Sequence, residues 1–396
     1  PEKLLIQAPR LQDFAAQFDK ASVEREPGRI VGSGPYQLAK WLAGQRIQLE
    51  KKQSWWGDRL VDTVPVLAAI PLRLTYELLS KEAGLNGLLL SEEIDALGSI
   101  PPAIFNDLAE NEQVRKNYSL HQPMQLTYYY IGLYNKSPKL SDRRVRRALA
   151  HLVDVPRVID QLLYGSGQAT IGPIHPSKPY YHRELSPIAF DPERAATLLV
   201  EAGWEDRNGD GRLDREVDGQ AVELSLSYKF PQGNRVGESL GLLLQEQARK
   251  VGIDITLEAV NFGQLIREYG RRDFELVYLR LSKPPGLEDL KQSWHRSSDT
   301  PSGSNRVGFG TPESDELIDK IRQEFDREKR NDLYRQIQEI IYEEQACIFL
   351  YCPRERIALH QSLNAKVSLL APGYFPQYFE TVGHNNLNVP SYNSTK

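Results

Sequence analysis

Between Val222 and Leu281 the hydrophobic pattern switches period repeatedly, and few architectures accept such a run. Val222-Glu223-Leu224-Ser225-Leu226-Ser227-Tyr228 alternates apolar and polar residues, as a strand with one buried face does. Glu238 to Val251 repeats its apolar residues at helical spacing and stops at Gly252, a residue suited to ending a helix. Ile253–Val260 alternates again, Gly263–Tyr269 reads as a helix, and Phe274–Leu281 as a further strand. Strands interrupted by helices are joined by crossovers that lay each helix on a sheet face, so the run predicts an α/β domain.

The segments on either side add a second sheet and well-marked helices. Val31-Gly32-Ser33-Gly34-Pro35-Tyr36 opens two alternating runs, Tyr36/Leu38 and Ile47/Leu49, around a connection containing Gly44, which predicts a hairpin entered by a sharp Gly-x-Gly-Pro turn. Thr63 to Leu74 reads as a strand and Thr75 to Leu90 as a helix, a loop and a short strand. Pro101-Pro102 suits a helix entrance, Leu126–Asn135 is a Tyr-rich strand, and Ser141 or Asp142 caps the helix after it. Asp191-Pro192 starts a helix that Gly203 stops. Two more helices, near Glu313–Phe325 and Arg327–Gln345, lead into a strand at Ala346–Tyr351. Leu11–Phe18 is amphipathic, and the tail from Tyr374 is rich in Asn, Pro and Tyr.

At 396 residues the chain exceeds one core, so more than one domain is expected. A net charge of −4 argues against a nucleic-acid binder, which usually carries a basic excess, and no apolar run reaches transmembrane length. The run Arg143-Arg144-Val145-Arg146-Arg147 is expected to be a solvated or salt-bridged helix face. Cys347 and Cys352 are five positions apart on one strand, so regular pleating sends them to opposite faces as buried, unpaired thiols. Asp206-Arg207-Asn208-Gly209-Asp210-Gly211 begins like a calcium loop, but Val217 stands where a bidentate Glu is required, which leaves an Asx-rich turn as the expectation and a weak calcium site as the alternative. No phosphate loop, nucleophile elbow or zinc-protease motif occurs, and His175 and His182 lack metal-ligand spacing, so no enzyme, metal or cofactor is expected.

Four segments in order carry a resemblance. Gly32-Ser33-Gly34-Pro35-Tyr36 through Trp56-Gly57, Asp142–Leu149 with Asp154 and Gly165, Asp191-Pro192 to Gly203-Trp204, and Asn305–Phe309 with Ser314–Ile318 resemble the family 5 solute-binding proteins of ABC importers. That resemblance implies an α/β fold of the periplasmic-binding-protein type II kind, with two lobes joined by a hinge. It places a domain I portion at residues 1–132 and 360–396 and domain III at 133–359. Members carry a long stretch before the Gly-x-Gly-Pro-Tyr segment, and here residues 1–31 precede Gly32, so the N-terminal part of domain I and most of domain II are expected to be missing.

The resemblance further implies a periplasmic or extracellular protein, lipid-anchored through a preceding segment in some members, that works as a monomer. It would close over a small solute, a peptide among them, and present it to a membrane permease. The alternative is a solute-binding-like sensor domain of a regulatory protein. By position, Tyr129 and Tyr130 are expected near the hinge and Phe262, Tyr278, Arg280 and Ser282 on the ligand wall. Peptide binders of the family carry an Asp after the strand matching Phe274–Leu281, where this chain reads Arg280-Leu281-Ser282-Lys283-Pro284-Pro285. Arg280 is therefore expected to read an acidic group.

Overall fold

A computed structural model describes residues 12–13, 15–16, 27–29, 31–79, 84–217 and 219–382. The chain divides into two units, one made of Pro1–Pro123 with Glu355–Lys396 and the other of Met124–Arg354. The expectation for Leu11–Phe18 and for the tail beyond residue 382 falls largely or wholly outside the described residues.

The first unit begins with the expected hairpin, β1 (Tyr36–Leu42) and β2 (Arg46–Lys51), paired antiparallel with Trp41 opposite Ile47. The glycine that its turn requires is Gly44, at φ +70°, whereas Gly32 and Gly34 stay outside the left-handed region. A third strand, β3 (Arg73–Glu77), extends the sheet. This corrects the reading of Thr63–Leu74 as a strand and of Thr75 onward as a helix. Pro65 starts a short 3-10 turn at Pro65–Leu67, and Leu74 and Tyr76 then register against Leu49 and Ile47. Helix α1 is confined to Leu85–Leu90. β4 (Ala96–Leu97), α2 (Pro102–Glu110), α3 (Glu112–Asn117) and β5 (Tyr118–His121) follow, with Pro102 in the first helical turn as expected. Phe105, Leu108, Val114 and Tyr118 form the small core of this part.

The second unit is built on one six-stranded mixed sheet. Its elements are β6 (Thr127–Leu133), α4 (Arg143–His151), α5 (Val155–Leu163), β7 (Gly167–Ala169) and α6 (Pro192–Glu201). Next come the hairpin of β8 (Asp214–Val217) and β9 (Gln220–Glu223), then β10 (Ser225–Pro231), α7 (Arg235–Lys250), β11 (Asp254–Val260), α8 (Phe262–Arg271) and β12 (Leu276–Ser282). α9 (Lys291–Trp294), α10 (Pro312–Gln323), α11 (Arg327–Glu344) and β13 (Cys347–Pro353) complete it. The order is β11-β10-β12-β6-β13-β7, with β10 parallel to both β11 and β12 and the β12–β6, β6–β13 and β13–β7 pairs antiparallel. The strand expected at Val222–Tyr228 is two strands broken at Leu224: its first residues close the β8–β9 hairpin and the rest belong to the main sheet.

Alternate residues of the sheet feed two cores. Ile131 and Leu133 of β6, Leu276 and Tyr278 of β12 and Leu226 of β10 meet α4 to α7 on one face. Tyr128, Tyr130, Val277, Leu279 and Phe349 meet α8, α10 and α11 on the other. β13 breaks the alternation. The register steps from Phe349 opposite Tyr130 to Tyr351 opposite Tyr129, leaving Leu350 as an extra residue. The bulge shifts the pleat by one position, so Cys347 and Cys352 lie in the same core rather than on opposite faces; both are buried and unpaired.

The arginine run also differs from expectation. Arg143 and Arg147 pair with Glu344 and Glu343, and Arg144 with Asp142, as a salt-bridged face would. Arg146, however, is 3% exposed. Its guanidinium donates to the carbonyls of Leu140, Ser141, Glu344 and Gln345 at 2.6–3.2 Å, which closes the C-terminus of α11.

β14 (Ile357–His360) returns to the first unit between β4 and β5, and β15 (Leu363–Asn364) pairs with β16 (Glu380–Thr381). The sequence boundaries at 132/133 and 359/360 thus differ from the structural ones at 123/124 and 354/355. The reason is pairing: β6 is bonded along its length inside the second sheet, and Ile357–His360 inside the first unit. The two passages of chain between units run side by side, with Glu355 N–H donating to Pro123 O at 2.8 Å and Gln125 N–H to Pro353 O at 3.0 Å.

Candidate ligand-binding edge

β10, β11 and β12 end at the same edge of the second unit's sheet, because all three run parallel. The pairing reaches that edge, where Gln232 N–H donates to Val260 O at 2.8 Å. From there the connections part. Asn234 caps α7, which buries Leu240, Leu244 and Ala248 in one core, and Asn261 caps α8, which buries Leu265 in the other. Neighbouring strands whose helices leave to opposite faces open a crevice at their carboxyl ends, and open α/β sheets bind ligands there.

Helix α7 lies close to the sheet, since a Cβ at Gly237 would stand 2.7 Å from the Tyr278 ring and one at Gly241 2.6 Å from Tyr228. It covers Tyr278 but not the strand's next two positions on that face: Tyr278 is 1% exposed, while Arg280 and Ser282 are exposed. Across the ladder Arg280 sits opposite Tyr129 and Ser282 opposite Thr127, whose hydroxyl lies 3.2 Å from that of Ser282. The Tyr129 ring stacks on Tyr278 at 5.5 Å and on Tyr351 at 5.0 Å between centroids. Tyr278 and Tyr351 join their hydroxyls at 2.7 Å, and burial holds the Tyr278 hydroxyl well above its ordinary range, so this floor is neutral and rigid.

The charge at this edge belongs to Arg280, which has no hydrogen bond or ion pair among the described residues. The next cation is matched: Lys283 pairs with Glu288 at 2.8 Å with both side chains buried. The loop after β12 is fixed from outside the strand. Lys178 Nζ donates to the carbonyls of Pro284, Pro285 and Gly286 at 2.8, 2.8 and 2.6 Å.

Of the six expected site residues, Tyr129, Arg280 and Ser282 therefore share one face at the open edge. Tyr278 lies on that face but under α7. Tyr130 points to the opposite core, its hydroxyl 3.2 Å from that of Tyr269. Phe262 is the first residue of α8 and is 60% exposed. Sequence reasoning missed Lys178 and Glu288, whose only signal was the Pro-rich context of Pro176, Pro179, Pro284 and Pro285. The Asp206 carboxylate accepts from the N–H groups of Gly209, Asp210 and Gly211, which is the Asx-rich turn expected there.

Comparison with known proteins gives this edge its context. Residues 2–314 match the family described as bacterial extracellular solute-binding proteins, family 5 middle. The oligopeptide-binding protein AppA of Bacillus subtilis is 30% identical over 341 residues, covering 84% of this chain and 59% of that protein. The nickel-binding periplasmic protein of Escherichia coli is 24% identical over 79% of this chain and 58% of its own length. The structure of the Bacillus subtilis AppA in complex with a nonapeptide superposes with a TM-score of 0.72 at 25% identity, covering 96% of this chain and 71% of that one. NikA of Brucella suis in complex with Fe(III)-EDTA shares the fold at a TM-score of 0.72 and 22% identity, covering 89% of this chain and 68% of its own. The chain thus spans under two thirds of the length of these curated relatives. A mixed α/β architecture of the periplasmic-binding-protein type II kind, together with the match over residues 2–314, shows that the chain belongs to the family 5 extracellular solute-binding proteins, which are transport components and not enzymes.

Proposed function

We propose that the chain is part of the solute-binding component of an ABC importer, taking a small solute at the carboxyl edge of the β10–β12 sheet and delivering it to a membrane permease. The observation that carries the reading is the exposed, unpaired Arg280 beside the Tyr129 ring, in a chain matched to the family over residues 2–314. An aromatic surface with one uncompensated cation suits a solute with an acidic group, such as a peptide carboxylate. The residues 1–123 and 355–396 would supply a domain I portion and 124–354 domain III, with a hinge closing the lobes over the solute. Phe262 would contribute from the start of α8, while Tyr130 and Tyr278 would support the wall from within. Secretion to the periplasm or cell exterior, with lipid anchoring by a preceding segment, fits this role, as does action as a monomer.

The test is a peptide and small-acid screen by thermal shift, followed by titration calorimetry of each hit against the wild type and Arg280→Ala. Loss of one charge-assisted hydrogen bond predicts binding weaker by roughly ten- to a hundredfold in the variant, with an unchanged melting temperature. Equal affinity in the two proteins removes Arg280 from the site.

A further inference from the structure

We infer that the second unit carries a pocket for a small aromatic carboxylate, on the face of the sheet opposite Arg280. This goes beyond the transport reading and does not depend on it.

A cavity of about 220 Å³ lies between the sheet and the segment around α9, lined by Tyr128, Tyr130, Tyr269, Trp294, Arg306 and Val307 among others. An apolar cavity of about 150 Å³ accommodates benzene, so this one holds a six-membered ring and leaves space for a carboxylate or hydroxyl. Its exposed lining residues are Leu281 and Ser304, which place its mouth at the surface.

The lining is aromatic on its walls. Tyr128 and Tyr130 are 5.6 Å apart between centroids, and Trp294 packs edge-on to Phe309 and tilted to Phe349. Faces and edges of this kind take up a flat ring well. The polar groups are unsatisfied in a specific way. Trp294 is 4% exposed, yet its indole Nε1 has no hydrogen-bond partner among the described residues. Tyr130 and Tyr269 share a single hydroxyl–hydroxyl bond of 3.2 Å, so one of the two retains a proton to donate.

Charge decides the ligand class. Among the described residues no acidic side chain lines the cavity, and the cation there is Arg306. Arg306 is held by one nitrogen alone: Nη1 donates to Gly270 O at 2.6 Å and to Pro301 O at 3.1 Å. Nε and Nη2 have no partner among the described residues, and that pair of N–H groups is the fork that grips a carboxylate with two hydrogen bonds. A ring in the aromatic walls with its carboxylate at Arg306 satisfies both halves of the lining. The opposite face is independent, because Arg280 and Ser282 alternate with Leu281 along β12.

Titration calorimetry of the 396-residue chain with benzoate, 4-hydroxybenzoate and benzyl alcohol tests this. Both acids are expected to bind one per chain. Arg306→Gln should weaken them roughly ten- to a hundredfold and leave the binding of benzyl alcohol unchanged, which also reports that the pocket is still folded. Ser304→Phe, which fills the mouth, should abolish all three. The inference is overturned by absence of binding at about 10 mM of each probe, an affinity below any built site. It is equally overturned by benzoate binding that survives both Arg306→Gln and Ser304→Phe, or by benzyl alcohol binding as tightly as benzoate.

Discussion

Arg146 offers the sharpest test of how the second unit holds together. Its guanidinium serves four backbone carbonyls, two before α4 and two at the end of α11, and reaches the Glu344 carboxylate at 3.3 Å. Burial lowers its pKa, but Glu344 and Asp142 oppose that effect and the group remains charged. Arg146→Ala removes every one of these donors at a site 3% exposed. Each buried carbonyl left without a donor costs about 1–3 kcal/mol, and water entering the vacated space recovers part of the sum. Breaking a comparable buried ionic contact costs about 3–5 kcal/mol, which is the expected loss here. For a unit of this size that lowers the melting temperature by roughly 6–20 °C in differential scanning calorimetry. Arg146→Lys should recover less than half, because one ammonium cannot reach carbonyls on both sides as a planar fork does. A shift under about 2 °C for the alanine variant would refute the reasoning, since it would mean that the helix end needs no such donor.

Three further outcomes follow from burial and close approach. Gly237→Ala pushes a Cβ to 2.7 Å from the Tyr278 ring, so urea denaturation should show a loss of about 1–2 kcal/mol despite the better helix propensity of alanine; a stabilised variant would contradict the close packing of α7. Burial holds the fully buried His175 down to about 4 against an ordinary 6.5, so the unfolded chain binds the extra proton in that window. The stability of the wild type should therefore be whole well above pH 6.5 and fall by about 3 kcal/mol toward pH 4, and a His175→Asn variant showing the same acid slope would exclude this histidine as its source. Burial pushes Cys347 and Cys352 up to about 12, so both should ignore Ellman's reagent at pH 8 until denaturant is added, and rapid labelling of the native protein would show the shared core to be open.

Much of the fold could be read from residues that act locally. Asp191 caps α6, its side chain accepting from Arg194 N–H, with Pro192 in the first turn and Gly203 at φ +81° after the end. Asp142 caps α4 in the same way. Such signals involve neighbours in sequence, so one chain suffices to show them. What escaped depends on partners far along the chain. The bulge at Leu350 is visible only against Tyr129 and Tyr130, and Arg146 looks like its exposed neighbours until α11 arrives 198 residues later. Alternation across Val222–Tyr228 concealed the break at Leu224 because both strands keep the same period. The candidate edge was legible in part. The resemblance put Tyr278, Arg280 and Ser282 on one wall, but which of them α7 covers follows from the close approach at Gly237, which no local pattern announces.

The antiparallel meeting of Pro123–Gln125 with Pro353–Glu355 makes the 124–354 segment a module with both its seams at one point. Excised there, it would leave behind two ends, Pro123 and Glu355, already joined by a hydrogen bond, and would itself start and finish on paired residues. A segment bounded in that way can be exchanged between proteins by a single insertion event without spanning a gap in either, so the 124–354 unit can be replaced while its host framework is kept.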